Sequence, residues 1–512
     1  MLTRLISGAV QGIDGYLIHV EVDIISGLPS FATVGLPDAA VREAKERVMA
    51  AIKNSGFDFP VKRMTVNLAP ANIKKEGSSF DLPIALGILL ATEQLKSKKI
   101  ENYLVLGELL LDGSIRAVKG VLPIALTAQK EGIEGIILPQ ANAEEAAVIE
   151  GLKVVPVKHL TEVVRFLEEE SDDKVFKVDL NRIFSAVPYY ELDFSDVKGQ
   201  QFAKRSLEIA ASGGHNILLV GPPGSGKTML AKCLPSILPP LTFPEALETT
   251  KIYSVAGLLP QGVSLLNLRP FRSPHHTISD VALVGGGSYP RPGEVSLAHH
   301  GVLFLDELPE FHRNALEVLR QPIEEGVVTI SRASASFAYP ARFMLAVAFN
   351  PCPCGYYGHP LRPCSCNPFQ IQKYMSRISG PLLDRIDLHI EVPAVKFDEL
   401  SAESCGESSA VIRERVKQAR QIQLERFKKY KNVYSNAQMD SKQLKKYSPV
   451  DKEGQSLLKN AIERLGFSAR AYNRILKVAR TIADLNNTEK ISSAHISEAI
   501  QDRSLDKNFV QG

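Results

Sequence analysis

Net charge is nearly absent from this chain: 60 Lys+Arg face 57 Asp+Glu, leaving +3 over 512 residues. That balance excludes attraction to a polyanion through total charge, so an acidic partner must be met by a local patch. No uncharged apolar run approaches the roughly 18 residues of a membrane-spanning helix, and we expect no membrane partner. No continuous apolar h-region or small-residue cleavage pattern follows Met1, because Arg4 and Asp14 interrupt the opening stretch. The expectation is a cytoplasmic protein without a secretory signal. No repeat of fixed period is visible. Cysteine is scarce: there are six, and four of them crowd between Cys352 and Cys366. In a reducing compartment such a cluster suggests a metal before a disulfide framework.

The length is that of about three domains. Residues 1–167 alternate β-like and helical runs ("YLIHVEVDI", "RMTVNLAPA", "LPIALGILLATEQL", "YLVLGELLL"), an α+β pattern. The acidic "EEESDDK" at 168–174 reads as a linker or a solvated helix end, and we place a linker at 168–190. Over 191–393, "NILLV", "GVLFLD" and "FMLAVAFN" alternate with helical stretches, which predicts a parallel sheet with helices on both faces. From 394 to 512 the chain turns helical and basic.

The stretch "NILLVGPPGSGKTMLAKCL" runs a buried strand into a glycine-rich turn and then a helix. Gly221, Pro222, Pro223, Gly224, Ser225, Gly226, Lys227 and Thr228 fit G-x-x-x-x-G-K-[ST]. Backbone N–H groups of such a loop surround phosphates, Lys227 supplies a point charge to the β/γ oxygens, and Thr228 can ligate Mg2+. A second apolar run, "GVLFLDEL", ends in two carboxylates. Asp306 would hold the magnesium through water, and Glu307 would orient and polarise the attacking water. A solvated acidic strand end is the commoner meaning of such a run alone; downstream of a phosphate loop the catalytic meaning prevails.

These residues resemble the AAA+ ATPases, in the magnesium-chelatase-like branch typified by the bacterial ComM/YifB proteins. The resemblance covers essentially the whole chain, through "NLAPANIKKEGSSFDLPIALGILLA", "RPFRSPHHTISDVALVGGG", "PRPGEVSLAHHGVLFLDELPEF", "ISGPLLDRIDLHIEVP" and "SARAYNRILKVARTIADL". It implies a multidomain α/β fold: a Lon-protease-like (ribosomal S5 domain 2-like) α+β N-terminal domain, a P-loop AAA+ α/β core and an α-helical lid. By position, Asn350 resembles the sensor-1 residue, Arg385 the arginine finger offered to a neighbouring subunit, and Arg470 sensor 2, with Arg474 the lesser choice. Fixed cations around the transferring phosphoryl group are the shared rationale. A finger acting in trans implies a ring, and the resemblance makes it a homo-hexamer using ATP and Mg2+.

"GVVTISRASASFAYPARFML" corresponds in this branch to the pre-sensor-1 hairpin, which would set Arg332 and Arg342 against DNA phosphates; an ordinary sheet-edge hairpin fits equally. From Arg413 to Lys446 the chain carries eleven Lys/Arg against three Asp/Glu, with Val416, Ile422 and Phe427 an irregular apolar stripe. A solvated helix face explains most such runs, and a DNA-facing surface is the sharper alternative. His275 and His276 have no ligand at metal spacing beside them and read as structural, or as part of a nucleotide-responsive insert.

Cys352, Cys354, Cys364 and Cys366 form two C-x-C pairs in a Pro/Gly-rich loop. Four thiolates can close a tetrahedral site, zinc is the favoured metal, and His359 is an alternative ligand; reduced unliganded thiols are the competing state. In the first domain Ser79 falls where Lon-type peptidases carry their nucleophile. The lysine that would take its proton is replaced by Leu122, with Lys119 off register, so Ser79 reads as an N-cap and not as a peptidase serine.

The resemblance implies an ATP-driven helicase or translocase acting on single-stranded or branched DNA, in branch migration during homologous recombination and natural transformation, alongside recombination proteins. A chelatase-like or protein-remodelling ATPase without DNA coupling is the alternative.

Overall fold

Along residues 14–25 burial alternates with period two: Ile18, Val20, Val22 and Ile24 are buried, and His19, Glu21 and Asp23 are half-exposed between them. Alternation of this kind makes a strand with one core face. The computed structural model describes residues 1–73, 75–169, 175–180, 184, 190–287, 290–332, 335–395, 406–430, 433–465, 468–503 and 505. The linker expected at 168–190 falls largely outside them.

Two compact units emerge, Met1–Ala186 with Phe243–Asn267, and Val187–Thr242 with Leu268–Gly512. The first holds a seven-stranded mixed sheet. Its strands are β1 (Leu2–Gln11), β2 (Asp14–Ile25), β3 (Ser30–Val34), β4 (Arg63–Ala69), β5 (Tyr103–Val105), β6 (Gly135–Pro139) and β7 (Lys153–Val157), in the order β3-β4-β2-β1-β5-β6-β7. β2 runs antiparallel to β1 and β4, and the remaining pairs are parallel. The helix Asp81–Ala91, apolar all round, closes one face; the helix Val121–Lys130 closes the other. β5 serves both cores, with Tyr103 and Val105 in one and Leu104 in the other.

The helix Phe243–Ala256 belongs to this first unit, although the sequence reading kept it within 191–393. Leu265, just beyond it, is buried in the core beneath the 121–130 helix. The Ser254 hydroxyl donates to the buried Glu145 carboxylate, and Lys251 pairs with Asp14 at 3.0 Å. The buried face of this helix is Ala246, Thr249, Thr250, Ile252 and Ser254, too small and polar to announce a partner.

Ser79 is not the N-cap expected of it. Phe80 holds that place with no side-chain cap, while the Ser79 carbonyl accepts from the Gly107 N–H at 3.0 Å. Next to it, Asp81 is buried and takes two hydrogen bonds from Arg47, at 2.7 and 3.0 Å. Burial raises its carboxyl to about 6, and the guanidinium works against the shift. Leu122 is fully buried, its N–H donating to Glu145 at 2.9 Å, and the Lys75 ammonium donates to the Pro70 carbonyl. Among the described residues no lysine hydrogen-bonds the Ser79 hydroxyl.

The second unit is built on five parallel strands. They are β8 (Ile217–Val220), β9 (Phe271–Arg272), β10 (Val302–Asp306), β13 (Met344–Phe349) and β14 (Leu388–Glu391), ordered β9-β10-β13-β8-β14. An antiparallel hairpin, β11 (Val327–Arg332) with β12 (Ala335–Pro340), stands between β10 and β13 in sequence. β8, β13 and most of β10 are continuous buried apolar runs, as a sheet covered on both faces requires. Because β8 starts the fold and lies inside the sheet, the crevice at its C-terminal end is the natural ligand position.

Helices after residue 406 share one buried cluster with this sheet: Ile412, Val416, Ile475, Val478, Ile482 and Ile496 join Leu207, Leu230, Phe304 and Ile390. The basic 413–446 stretch turns three of its arginines toward partners within the unit. Arg413 donates to the Ser236 carbonyl at 3.1 Å, Arg415 to Glu208 and Glu407 at 2.5 Å each, and Arg426 to Asp484 at 2.5 Å. Those arginines are committed to partners within the unit, while Lys417, Lys428, Lys429, Lys442, Lys445 and Lys446 stay exposed.

Candidate active site

Strand β8 delivers the chain at Val220 into a turn only glycine can make. A Cβ on Gly221 would stand 2.0 Å from the Val392 carbonyl oxygen. Gly224 and Gly226 hold φ of +76° and +90°, where a side chain is strained. The helix Lys227–Ile237 begins at once, so its free N–H groups and dipole face the loop. Gln200, itself at φ +57°, braces the loop from below, its side-chain amide donating to the carbonyls of Ser225 (3.2 Å) and Pro393 (2.6 Å).

Lys227 lies across this loop. Its ammonium donates to the carbonyls of Gly221 and Pro222, at 2.8 and 2.9 Å, and to Asn350 Oδ1 at 3.1 Å. Burial lowers its pKa, opposed by the Asp306 carboxylate. Asn350 directly follows β13, one strand over, so the sheet's register sets the lysine and the amide on the same point. From β10, Asp306 Oδ2 accepts from the Thr228 hydroxyl at 2.6 Å, and Asp306 Oδ1 from the Glu307 N–H at 2.9 Å. Thr228 and Asp306 are thereby brought together as the residues that would hold a divalent cation beside the phosphate loop. Glu307 sits at φ +54°, a strained setting for a residue with a Cβ, with its carboxylate exposed.

The sequence did not mark the partner of that carboxylate. His276 Nδ1 lies 3.4 Å from Glu307 Oε2. The His275 ring is 4.1 Å from the His276 ring, and Phe311 closes on its edge at 6.4 Å. The histidine pair read as structural, or as part of a nucleotide-responsive insert, thus contains a side chain that faces the candidate base. Adjacent histidines thirty residues upstream carry no local signal for this, because the strand order of the sheet makes the contact.

Arg385 and Arg470 are placed elsewhere. Arg385 donates to Glu324 Oε1 and to the Pro381 carbonyl, both at 2.6 Å. Arg470 is exposed and stands 3.8 Å from Asp384. Among the described residues no hydrogen bond or ion pair joins either arginine to the phosphate loop. Arg474 bonds the fully buried Asp387, which also faces His215 Nδ1 at 3.4 Å and accepts from the Asn216 N–H at 3.1 Å. Burial would raise the Asp387 pKa, but Arg474 and His215 hold it far below the usual carboxylate range. Asn216, at the head of β8, also donates to the Arg385 carbonyl (3.1 Å) and accepts from the Leu345 N–H (2.8 Å), tying three segments of the site together.

Of the two candidate DNA-binding residues, Arg332 takes the last paired position before the hairpin turn, opposite Ala335. Arg342 lies past the hairpin base, half-buried, its guanidinium 5.9 Å from the Tyr434 ring. Tyr339 anchors β12 by donating to the Pro290 carbonyl at 2.7 Å.

The cysteine loop follows Asn350 directly. Cys352, Cys354 and Cys364 have Sγ separations of 3.3, 3.5 and 3.7 Å, and with Cys366 all four sulfurs lie within 4.8 Å of one another. A tetrahedron with metal–sulfur bonds of about 2.3 Å has edges of about 3.8 Å, so the cluster could hold a metal. Backbone N–H groups of Cys354, Tyr357 and Cys366 point at the sulfurs, as around ligated thiolates. His359 is not part of the group: its Nδ1 accepts from Leu361 and Arg362 at 3.1 and 3.0 Å. The loop presses on the phosphate loop, since a Cβ on Gly355 would stand 2.5 Å from Pro223 Cδ.

The chain matches the family described as magnesium chelatase, subunit ChlI, over residues 193–400. Two further models of that subunit match at 20–142 and, for its C-terminal part, 406–503. It is 45% identical over 508 residues to competence protein ComM of Haemophilus influenzae, covering 98% of each chain. To YifB of Escherichia coli it is 45% identical over 505 residues, 98% of this chain and 97% of that one. A Lon protease of Trichlorobacter lovleyi is 23% identical over 180 residues, 32% of this chain and 22% of that protein.

Proposed function

Because the chain belongs to the ComM/YifB family of magnesium-chelatase-like AAA+ proteins, we propose that it is an ATP-hydrolysing ring motor that acts on DNA in a competence-related process. The observation carrying the hydrolytic half is the meeting of Lys227, Asn350, Thr228 and Asp306 at the ends of three neighbouring strands. Lys227 and the loop amides hold the β/γ oxygens. Thr228 and Asp306 would hold Mg2+, which neutralises charge on those oxygens when bound. Glu307 takes the proton of the attacking water and Asn350 orients that water. Arg385 serves a neighbour's nucleotide in a homo-hexamer, and Arg470 closes on the nucleotide from a helical lid formed by the segment after 406.

The DNA half rests on the competence name of the Haemophilus relative and on the β11–β12 hairpin, with Arg332 at its turn. In this reading the motor drives branch migration of single-stranded or branched DNA during recombination and natural transformation, in the cytoplasm and beside recombination proteins. The first unit is a Lon-like scaffold of S5 domain 2-like fold without peptidase activity. The low identity to Lon proteases and the buried Leu122 at the lysine position support that view.

ATP hydrolysis at fixed salt, alone and with single-stranded, duplex or four-way-junction DNA, tests the reading. We expect DNA to stimulate turnover, most strongly the junction. Hydrolysis indifferent to every DNA would overturn the DNA half and favour the chelatase-like or protein-remodelling alternative, of which the family description names the first.

The cysteine cluster, in the same reading, holds a structural zinc that stiffens the loop behind Pro223 and Asn350. Replacing Cys364 by Ser is expected to abolish zinc by elemental analysis and to raise the KM for ATP several-fold. Full zinc content in that variant would remove the cluster from metal binding; lost zinc with an unchanged KM would confine the metal to local stability.

A further inference from the structure

Arg385 is held inside its own protomer. Its side chain is only 12% exposed, and its guanidinium spans the Pro381 carbonyl and Glu324 Oε1, both at 2.6 Å, while the Glu324 side chain is 56% exposed. A solvent-facing carboxylate thus holds a sheltered cation. Glu324 lies on the helix Arg320–Glu325, and the next residue, Gly326 at φ +67°, opens directly into β11. The hairpin is closed at that point by the Ala341 N–H on the Gly326 carbonyl, at 2.8 Å. A second bridge runs from the same short helix to the segment that carries the arginine: Arg320 donates to the Ser379 hydroxyl at 3.3 Å, and Ser379 precedes the helix Gly380–Leu383. Helix 320–325 and the Arg385 segment are therefore linked twice by side chains, at the foot of the hairpin.

We propose that Glu324 is a positioning residue that retains Arg385 in its own protomer and releases it when a second copy of the chain presents a nucleotide. The inference rests on the reading of Arg385 as a trans-acting finger. An ion pair with one exposed partner suits a gate: it is weak enough to be exchanged for a polyphosphate, whose charge and bidentate oxygens compete for the same guanidinium. A finger already spent on a carboxylate of its own subunit keeps neighbouring sites slow until that exchange occurs.

Mixed rings test this. Lys227→Ala protomers cannot hydrolyse ATP but still offer Arg385; Arg385→Ala protomers keep an intact site but offer no finger. We expect the mixture to hydrolyse ATP. Adding Glu324→Gln to the finger-donating Lys227→Ala protomer should raise the turnover of the mixture by about threefold, the scale on which removing one exposed ion pair shifts a two-state equilibrium, with the KM for ATP unchanged. The same substitution in the Arg385→Ala acceptor should do nothing. Equal turnover with both donors, or an effect seen only when the acceptor carries Glu324→Gln, overturns the gate while leaving the finger reading intact. No hydrolysis in either mixture, with wild-type protein active, overturns the trans finger and the gate with it. Unchanged thermal melting of Glu324→Gln separates release from damage to the fold.

Discussion

Replacing Glu307 by Gln is expected to lower ATP turnover by about 10²–10⁴-fold, the usual contribution of a positioned general base, and to leave ATP binding in place. Gln keeps the size of Glu307, its main-chain bond to Asp306 and a hydrogen-bonding contact for His276, which stands 3.4 Å away. What it loses is the capacity to take a proton. The residues that hold the triphosphate, Lys227 and the loop amides, are untouched, as is the Thr228–Asp306 pair. Steady-state turnover beside equilibrium binding of a fluorescent ATP analogue reads the two effects separately. Turnover near the wild-type rate in a protein that still binds ATP would move the base to another residue.

The second large effect is expected at Arg385. Alanine there should reduce turnover by about 10³-fold, the lower end of what an arginine finger supplies, without weakening ATP binding in the same protomer. No contact of Arg385 with the phosphate loop of its own chain supports a binding role, since its partners are Glu324 and Pro381. Lysine should rescue little, because a point charge cannot reproduce the planar fork. The deficit should also be cured by a neighbour: adding Lys227→Ala protomers, inactive by themselves, should restore hydrolysis. If Arg385→Ala instead raised the KM for ATP and no partner restored turnover, the arginine would act within its own subunit.

The parts of this molecule that were legible in the sequence are those whose signal is local. The run from Asn216 to Leu234 states a strand, a glycine turn and a helix in order, and the structure has them as β8, the loop and the helix Lys227–Ile237. The period-two burial of residues 14–25 is equally plain. Long-range pairings were not legible. His276 meets Glu307, and Asn216 meets Arg385 and Leu345, only because β9, β10, β13, β8 and β14 stand side by side. Charge counting over 413–446 likewise weighed every arginine as if it faced water. Arg413, Arg415 and Arg426 instead satisfy buried or half-buried acceptors, which a tally of signs cannot detect. The Ser79 misreading has the same origin: the helix begins two residues later, where the chain turns to meet Gly107.

The excursion of residues 243–267 into the first unit bears on descent. A gene encoding two units in tandem can exchange either through one crossover, and each arrives whole. Here a crossover near codon 187 would deliver a first unit without the helix that covers Glu145, and a second unit carrying that helix with nothing to bury it. Both products would be damaged, because the chain passes between the units at three places, near residues 186, 242 and 267.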